Sequence, residues 1–270
     1  MQPGADSPAD ADAPAELRQD RIQSLVHERG FARVADLARR FEVSTVTVRT
    51  DLQTLEQRGS VRRIRGGAVP PTVVEGERPF EAAEQELAPE KARIAAHAAH
   101  LVADGDTVLL DVGTTTTAIA RALLARTELR DVTVFTNALN VALELERAGP
   151  RLSVVVTGGT LRPLQHSLVN PLATVILERL RASIAFIGCN GVDARRGVTN
   201  INLPEAEVKR AMLLAARRRV VVADGSKLGE VELAKVCDVR EVGLVISDGS
   251  ADPAMVAEIR GAGCPVEIAD

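Results

Sequence analysis

The sequence predicts an α/β chain in two parts: a small N-terminal winged helix-turn-helix domain, then a larger α/β domain with a mostly parallel sheet. Three observations predict it. Between residues 15 and 69, two short helical patterns meet across a two-residue gap and are followed by an arginine-rich strand pair closed by Gly66-Gly67. Residues 70–80 (PPTVVEGERPF) hold three prolines and no periodicity, which reads as a linker. From Thr107 onward, apolar strand-like runs alternate with helical patterns. The expected division is a disordered tail over 1–14, rich in Ala, Asp and Pro, then domains over 15–69 and 81–270 flanking the linker.

In the first domain, a helix over about 15–29 turns Ile22, Leu25 and Val26 inward. A second, RVADLARRF over 33–41, places Val34, Leu37, Ala38 and Phe41 on one face. Only Glu42 and Val43 separate it from Ser44, a good N-cap for a third helix. Helices joined by so tight a turn form a helix-turn-helix, whose second helix enters the major groove of DNA. The start of that helix carries Ser44, Thr45, Thr47 and Arg49, and the strand pair behind it carries Arg62, Arg63 and Arg65. Hydroxyls and guanidinium groups serve phosphates and base edges, so this segment predicts double-stranded DNA as a partner.

The same segment resembles the winged helix-turn-helix of DeoR-type bacterial transcriptional regulators. The resemblance rests on Leu37-Ala38, Phe41, Val43-Ser44, Thr47-Val48-Arg49, Asp51-Leu52, Leu55-Glu56, Gly59, Arg63 and Gly66-Gly67-Ala68. Two positions depart from the family pattern. Thr50 stands in place of the second arginine of an Arg-Arg pair, at a position that joins the DNA-contact set, and Arg65 stands where histidine is common.

Charge distribution agrees with a nucleic-acid partner although the net charge of −4 does not. Residues 15–69 hold eleven Arg against seven Asp plus Glu, so the basic surplus sits on the small domain. No apolar run approaches the ~18 residues of a membrane span, and no secretory leader pattern is evident, so the expected compartment is the cytoplasm. Cys189, Cys237 and Cys264 are widely spaced without a CxxC pattern, which fits a reducing compartment and no structural zinc. His97 and His100 lie three apart on a helix expected over 81–103 without an evident third ligand, and no metal or cofactor is expected.

In the larger domain, strands are expected at 107–110, 132–135, 152–156, 184–187, 220–222, 242–246 and 266–268. Helices are expected at 115–126, 138–148, 170–181, 203–217 and 252–262. Ligands of such sheets sit beyond the carboxyl ends of the strands. Five of those ends carry polar loops: Asp111 to Thr117, Thr136-Asn137, Thr157 to Arg162 (including Gly159), Gly188 to Asp193, and Ala223 to Lys227. The Gly113-Thr114-Thr115-Thr116 run at a helix start suits an anion. Only four lysines stand against 29 arginines, which directs attention to Lys209 and Lys227. Glu205 and Lys209 are four apart and share a helix face. Cys189 has no evident base beside it, so a nucleophile is not expected.

These loops resemble the sensor domain of the same regulators, itself similar to ribose-5-phosphate isomerase, so that the resemblance covers about residues 15–250. It implies a phosphorylated sugar as effector, with Gly113–Thr116 at the phosphate and Lys209 and Lys227 nearby. It further implies Asp111, Asn137, Arg162, Asp193 and Glu205 at sugar hydroxyls or the phosphate rim. Val112, Ser183 and Asn170 depart from the pattern and bear on which sugar is bound. The expected function is a regulator, usually a repressor, of a carbohydrate-use operon, acting as a homo-oligomer and without catalytic residues. The alternative is a sugar-phosphate isomerase fused to a DNA-binding domain, with Asp193 or Glu205 as base beside Lys209.

Overall fold

The computed structural model describes residues 14–70 and 77–270. Residues 1–13 of the expected tail and 71–76 of the expected linker lie outside the described residues. The chain forms two compact units, Met1–Pro79 and Phe80–Asp270.

The first unit contains helices α1 (Ala15–Arg29), α2 (Val34–Arg40) and α3 (Thr45–Gln57). Three short strands, β1 (Ala32–Arg33), β2 (Arg62–Ile64) and β3 (Gly67–Val69), pair antiparallel in the order β1-β3-β2. Ile22, Val26, Leu37, Phe41, Val48, Leu52 and Leu55 bury together between the helices. The Ser44 hydroxyl caps α3 by accepting the N–H of Thr47 at 3.0 Å, which satisfies one of the orphan donors of the first turn. Gly67 is obligatory for the wing: a Cβ there would lie 2.3 Å from the Ala32 carbonyl oxygen across the β1–β3 pair.

The second unit begins with α4 (Phe80–Glu84) and α5 (Ala88–His100). A single helix over 81–103 is therefore not formed. Pro89 falls at the N-terminus of α5, where its missing N–H and fixed φ are tolerated only in a first turn. The buried Lys91 ammonium holds the break by donating to the carbonyls of Ala83 and Glu86 at 2.7 and 2.6 Å.

There follow β4 (Thr107–Leu110), α6 (Thr114–Ala125), β5 (Val132–Thr136), α7 (Leu139–Glu146), β6 (Leu152–Val156), β7 (Thr160–Arg162), β8 (Ser167–Val169) and α8 (Leu172–Leu177). The chain continues through β9 (Ala182–Gly188), β10 (Gly191–Asp193), β11 (Gly197–Asn200), α9 (Leu203–Ala215), β12 (Ala216–Val222), β13 (Ala234–Cys237), β14 (Leu244–Asp248), α10 (Pro253–Gly261) and β15 (Val266–Ala269). Seven strands form one wholly parallel sheet in the order β15-β14-β12-β9-β4-β5-β6. All seven strands expected from the sequence are in it.

Side chains alternate between the two faces of this sheet. Val108, Leu110, Ile184 and Phe186 pack with α5, α6 and α7, whereas Leu109, Ala185 and Ile187 pack with α8, α9 and α10. Because both faces are covered, the strands are near-continuous apolar runs. The chain proceeds outward from β4 to β6 on one side and from β9 to β15 on the other, so the strand order reverses between β4 and β9. The crevice beyond the carboxyl ends of those two strands is where open α/β sheets bind ligands. Two smaller additions, the β7–β8 hairpin and the antiparallel β10-β11-β13 sheet, were not expected from the sequence.

Candidate functional site

Two groups of residues carry the chemistry, one in each unit. In the first unit, α3 turns Val48, Asp51, Leu52 and Leu55 inward and leaves Thr45, Val46, Arg49, Thr50 and Gln53 exposed along one stripe. Ser44 and Thr47 occupy the helix start, their hydroxyls bonded to each other at 2.9 Å. The Thr50 hydroxyl donates to the Val46 carbonyl at 3.1 Å. Arg49 makes no hydrogen bond or ion pair among the described residues, so its guanidinium is available to a partner. On the wing, Arg62 is half-buried while Arg63 and Arg65 are exposed. The Arg63 N–H donates to Glu56 at 2.8 Å, which ties the wing to α3.

Asp51 has a structural task that the sequence did not reveal. It is buried and accepts from Arg18 Nε at 2.7 Å and from Gln19 Nε2 at 2.9 Å, fastening α1 behind the exposed helix.

In the second unit, the crevice between β4 and β9 holds a buried polar cluster. Asp111, 0% exposed, directly follows β4. Its Oδ2 accepts from the ammonium of Lys209, itself 3% exposed, and from the Gly188 N–H at 3.2 Å. Its Oδ1 is buried and accepts no hydrogen bond among the described residues. Burial raises the Asp111 carboxyl to about 6, Lys209 opposing that rise and Glu205 adding to it.

Glu205 and Lys209 share a face of α9, but each binds elsewhere. Glu205 pairs with Arg162 of β7 and accepts from the Ser167 hydroxyl of β8 at 2.6 Å. Ser167 was not among the residues expected at the site; a buried serine in a three-residue strand leaves no periodic signal. Asn137 follows β5 and exchanges bonds with Leu168, its Nδ2 donating to the Leu168 carbonyl at 3.3 Å. Its buried Oδ1 has no partner among the described residues.

The helix start beside this cluster is open. Gly113, at φ 138°, precedes α6, and no side chain caps it. The hydroxyls of Thr116 and Thr117 donate back to the Gly113 carbonyl at 2.9 and 2.8 Å, which holds the turn in shape. The first-turn N–H groups have no intrahelical acceptor, and the hydroxyls of Thr114 and Thr115 make no bond among the described residues. Lys227 stands in the short turn Gly225–Lys227 and has no ion-pair partner among the described residues. Burial pushes the Cys189 thiol up to about 12, and the ammonium groups of Lys209 and Lys227 oppose that rise.

Two expected residues do other work. Asp193 accepts the N–H groups of Arg195 and Arg196 at 2.8 and 2.6 Å, closing the β10–β11 turn, and makes no bond to the Asp111 cluster. Gly159, at φ 131°, lies where a Cβ would be 2.1 Å from the Val169 carbonyl oxygen, so it permits the β7–β8 approach. His97 pairs with Glu267 at 2.6 Å, and His100 with the Ala96 carbonyl at 2.7 Å. Among the described residues no cluster of His, Cys, Asp and Glu could hold a metal, and no helix is long and apolar enough to cross a membrane.

A winged helix-turn-helix with an exposed arginine, joined to a parallel α/β unit with a buried polar crevice, defines a DNA-binding transcriptional regulator. Residues 18–73 match the DeoR-like helix-turn-helix domain and residues 86–249 the DeoR C terminal sensor domain. The chain is 37% identical to the HTH-type transcriptional regulator GlpR of Haloferax volcanii, over 94% of this chain and 97% of that one. It is 34% identical to the transcriptional repressor AccR of Agrobacterium fabrum, over 86% and 88% of the two chains. It is 30% identical to the glycerol-3-phosphate regulon repressor of Haemophilus influenzae, over 84% and 86%. The chain belongs to the DeoR family of transcriptional regulators. Among solved structures, ribose 5-phosphate isomerase A from Methanocaldococcus jannaschii aligns with a TM-score of 0.38 and 20% identity, over 51% of this chain and 52% of that one.

Proposed function

We propose that this regulator is a cytoplasmic repressor of carbohydrate-use genes, released from its operator when a phosphorylated sugar occupies the β4–β9 crevice. The observation that carries the reading is the Asp111 carboxylate, buried with an unpartnered oxygen beside an uncapped helix start. A buried charge with an unused acceptor is costly, and a hydroxyl donor from a ligand would complete it. Asn137 Oδ1 offers a second such acceptor. The first-turn N–H groups from Gly113 to Thr116, with Lys227, supply the complement to a phosphate dianion. Lys209 would act through Asp111 by holding it ionised, and Arg162 and Glu205 would line the rim. Relatives named as repressors support the sign of regulation.

In this reading residues 15–69 bind DNA, 70–80 serve as the hinge and 81–270 sense the effector. A homo-oligomer, dimer or tetramer, would double the phosphate contacts and match a two-fold operator. A sugar phosphate that favours the released form 100-fold would supply about 2.7 kcal/mol of coupling.

The test is a panel of pentose, hexose and triose phosphates, with inorganic phosphate as control, read by dye-based thermal shift and by release of labelled duplex. One phosphorylated sugar should stabilise the protein and free it from DNA, whereas Thr115→Val and Lys227→Ala should bind DNA normally and respond weakly. A panel with no effect, or variants with an unchanged response, would overturn the assignment.

A further inference from the structure

We propose that Val46 is a base-reading residue, packing against the 5-methyl group of one thymine per half-site in the major groove. The argument starts from what α3 leaves free. Its apolar face is Val48, Leu52 and Leu55, each 0–1% exposed, whereas Val46 is 67% exposed and outside the core of its unit. Helix propensity does not explain it either, since a β-branched residue is a poor choice at a solvated helix position. The rest of the stripe, Thr45, Arg49, Thr50 and Gln53, is polar, so Val46 is its single apolar group.

The neighbouring hydroxyls sharpen the point. Thr47 and Ser44 are bonded to each other, and Thr50 donates to the Val46 carbonyl. Three hydroxyls near the helix start are thus engaged in shaping α3. Val46 lies in the N-terminal turn of the recognition helix, the part that meets base edges. The apolar feature that the major groove offers there is the thymine methyl. The inference rests on the placement of α3 in the groove, which Arg49 tests separately.

The experiment selects a binding site for the full-length protein from a random duplex library. Each thymine of the enriched site is then replaced by deoxyuridine, which deletes only the methyl group. Affinities of wild type and Val46→Ala are read by anisotropy of labelled DNA. Wild type should lose about fourfold at one thymine per half-site, the effect of one methyl group returned to water. Val46→Ala should lose a similar factor on the unmodified site and nothing further at that thymine. Its melting temperature and oligomeric state should be unchanged. Wild-type affinity in Val46→Ala, or undiminished deoxyuridine sensitivity at every position, would overturn the assignment. So would weaker binding that accompanies a changed oligomeric state, which would make Val46 a contact between copies. An Arg49→Ala variant with wild-type affinity would instead remove the groove placement itself.

Discussion

Replacing Lys209 by Met tests whether the crevice is organised around a buried carboxylate whose charge Lys209 sustains. Asp111 has a folded pKa of about 6 against an ordinary value of 3.8. Burial holds this carboxyl above its ordinary range, so keeping it charged at neutral pH costs stability. The sign follows from proton binding. The native state holds the proton more tightly, so stability falls as pH rises from about 4 to about 6 and is level above that. Removing Lys209 withdraws the strongest influence that favours the charged form. The carboxyl then moves higher, and the falling limb extends toward neutrality.

Breaking a buried pair from one side costs about 3–5 kcal/mol. Asp111 escapes part of that by taking up a proton, which places Lys209→Met near the lower end. For a unit of this size about 3 kcal/mol is a fall of roughly 6–12 °C in melting temperature. The chain has no tryptophan or tyrosine, so far-UV circular dichroism is the appropriate signal. Melting should improve as pH is lowered from about 7 to about 5, more steeply than in wild type. Adding Asp111→Asn should flatten that dependence and cost less than the sum of the single variants. A Lys209→Met protein as stable as wild type at neutral pH, or strict additivity in the double variant, would falsify the coupling.

Three further outcomes can be measured. Arg49→Ala should weaken operator binding and reduce the salt dependence by about one released counterion if the guanidinium meets a phosphate, measured by anisotropy titrations at several salt concentrations. Asp51→Ala strips Arg18 and Gln19 of their buried acceptor and should destabilise the first unit by about 3 kcal/mol, seen as early loss of DNA binding on heating while the second unit melts normally. Glu81 raises the pKa of His166 through a 2.9 Å bond. That stability is present below about pH 6.5 and lost as pH rises through the higher folded value, so Glu81→Gln should abolish the melting-temperature decline that begins as pH rises past about 6.5. The pair is partly exposed, so the decline should be small.

The seven sheet strands were legible because a sheet covered on both faces demands runs such as TVLL and AFI with no polar alternation. The crevice was legible for a topological reason: parallel strands deliver all their carboxyl ends to one edge, so polar loops after strands converge there. Elements without such constraints escaped. The strands β7, β8, β10 and β11 are three or four residues long, and β7 is largely exposed, so no period has room to show. The break at Pro89 could have been read from the sequence, since proline is tolerated only at a helix start. The alanine-rich pattern on either side masked it.

What helical spacing does and does not determine is clearest at Glu205 and Lys209. Four residues apart, they share one face of α9, and isolated helices would pair them. In the fold each has a better partner from another element. Lys209 meets a carboxylate at the end of β4, and Glu205 meets Arg162 and Ser167 on a hairpin that sequence pattern did not disclose. A surface pair of this kind contributes a few tenths of a kcal/mol, whereas a buried carboxylate left alone loses several. Tertiary partners therefore win wherever burial makes desolvation the larger cost. Spacing identifies the residues that enter the crevice together; the strand ends opposite decide what each one binds.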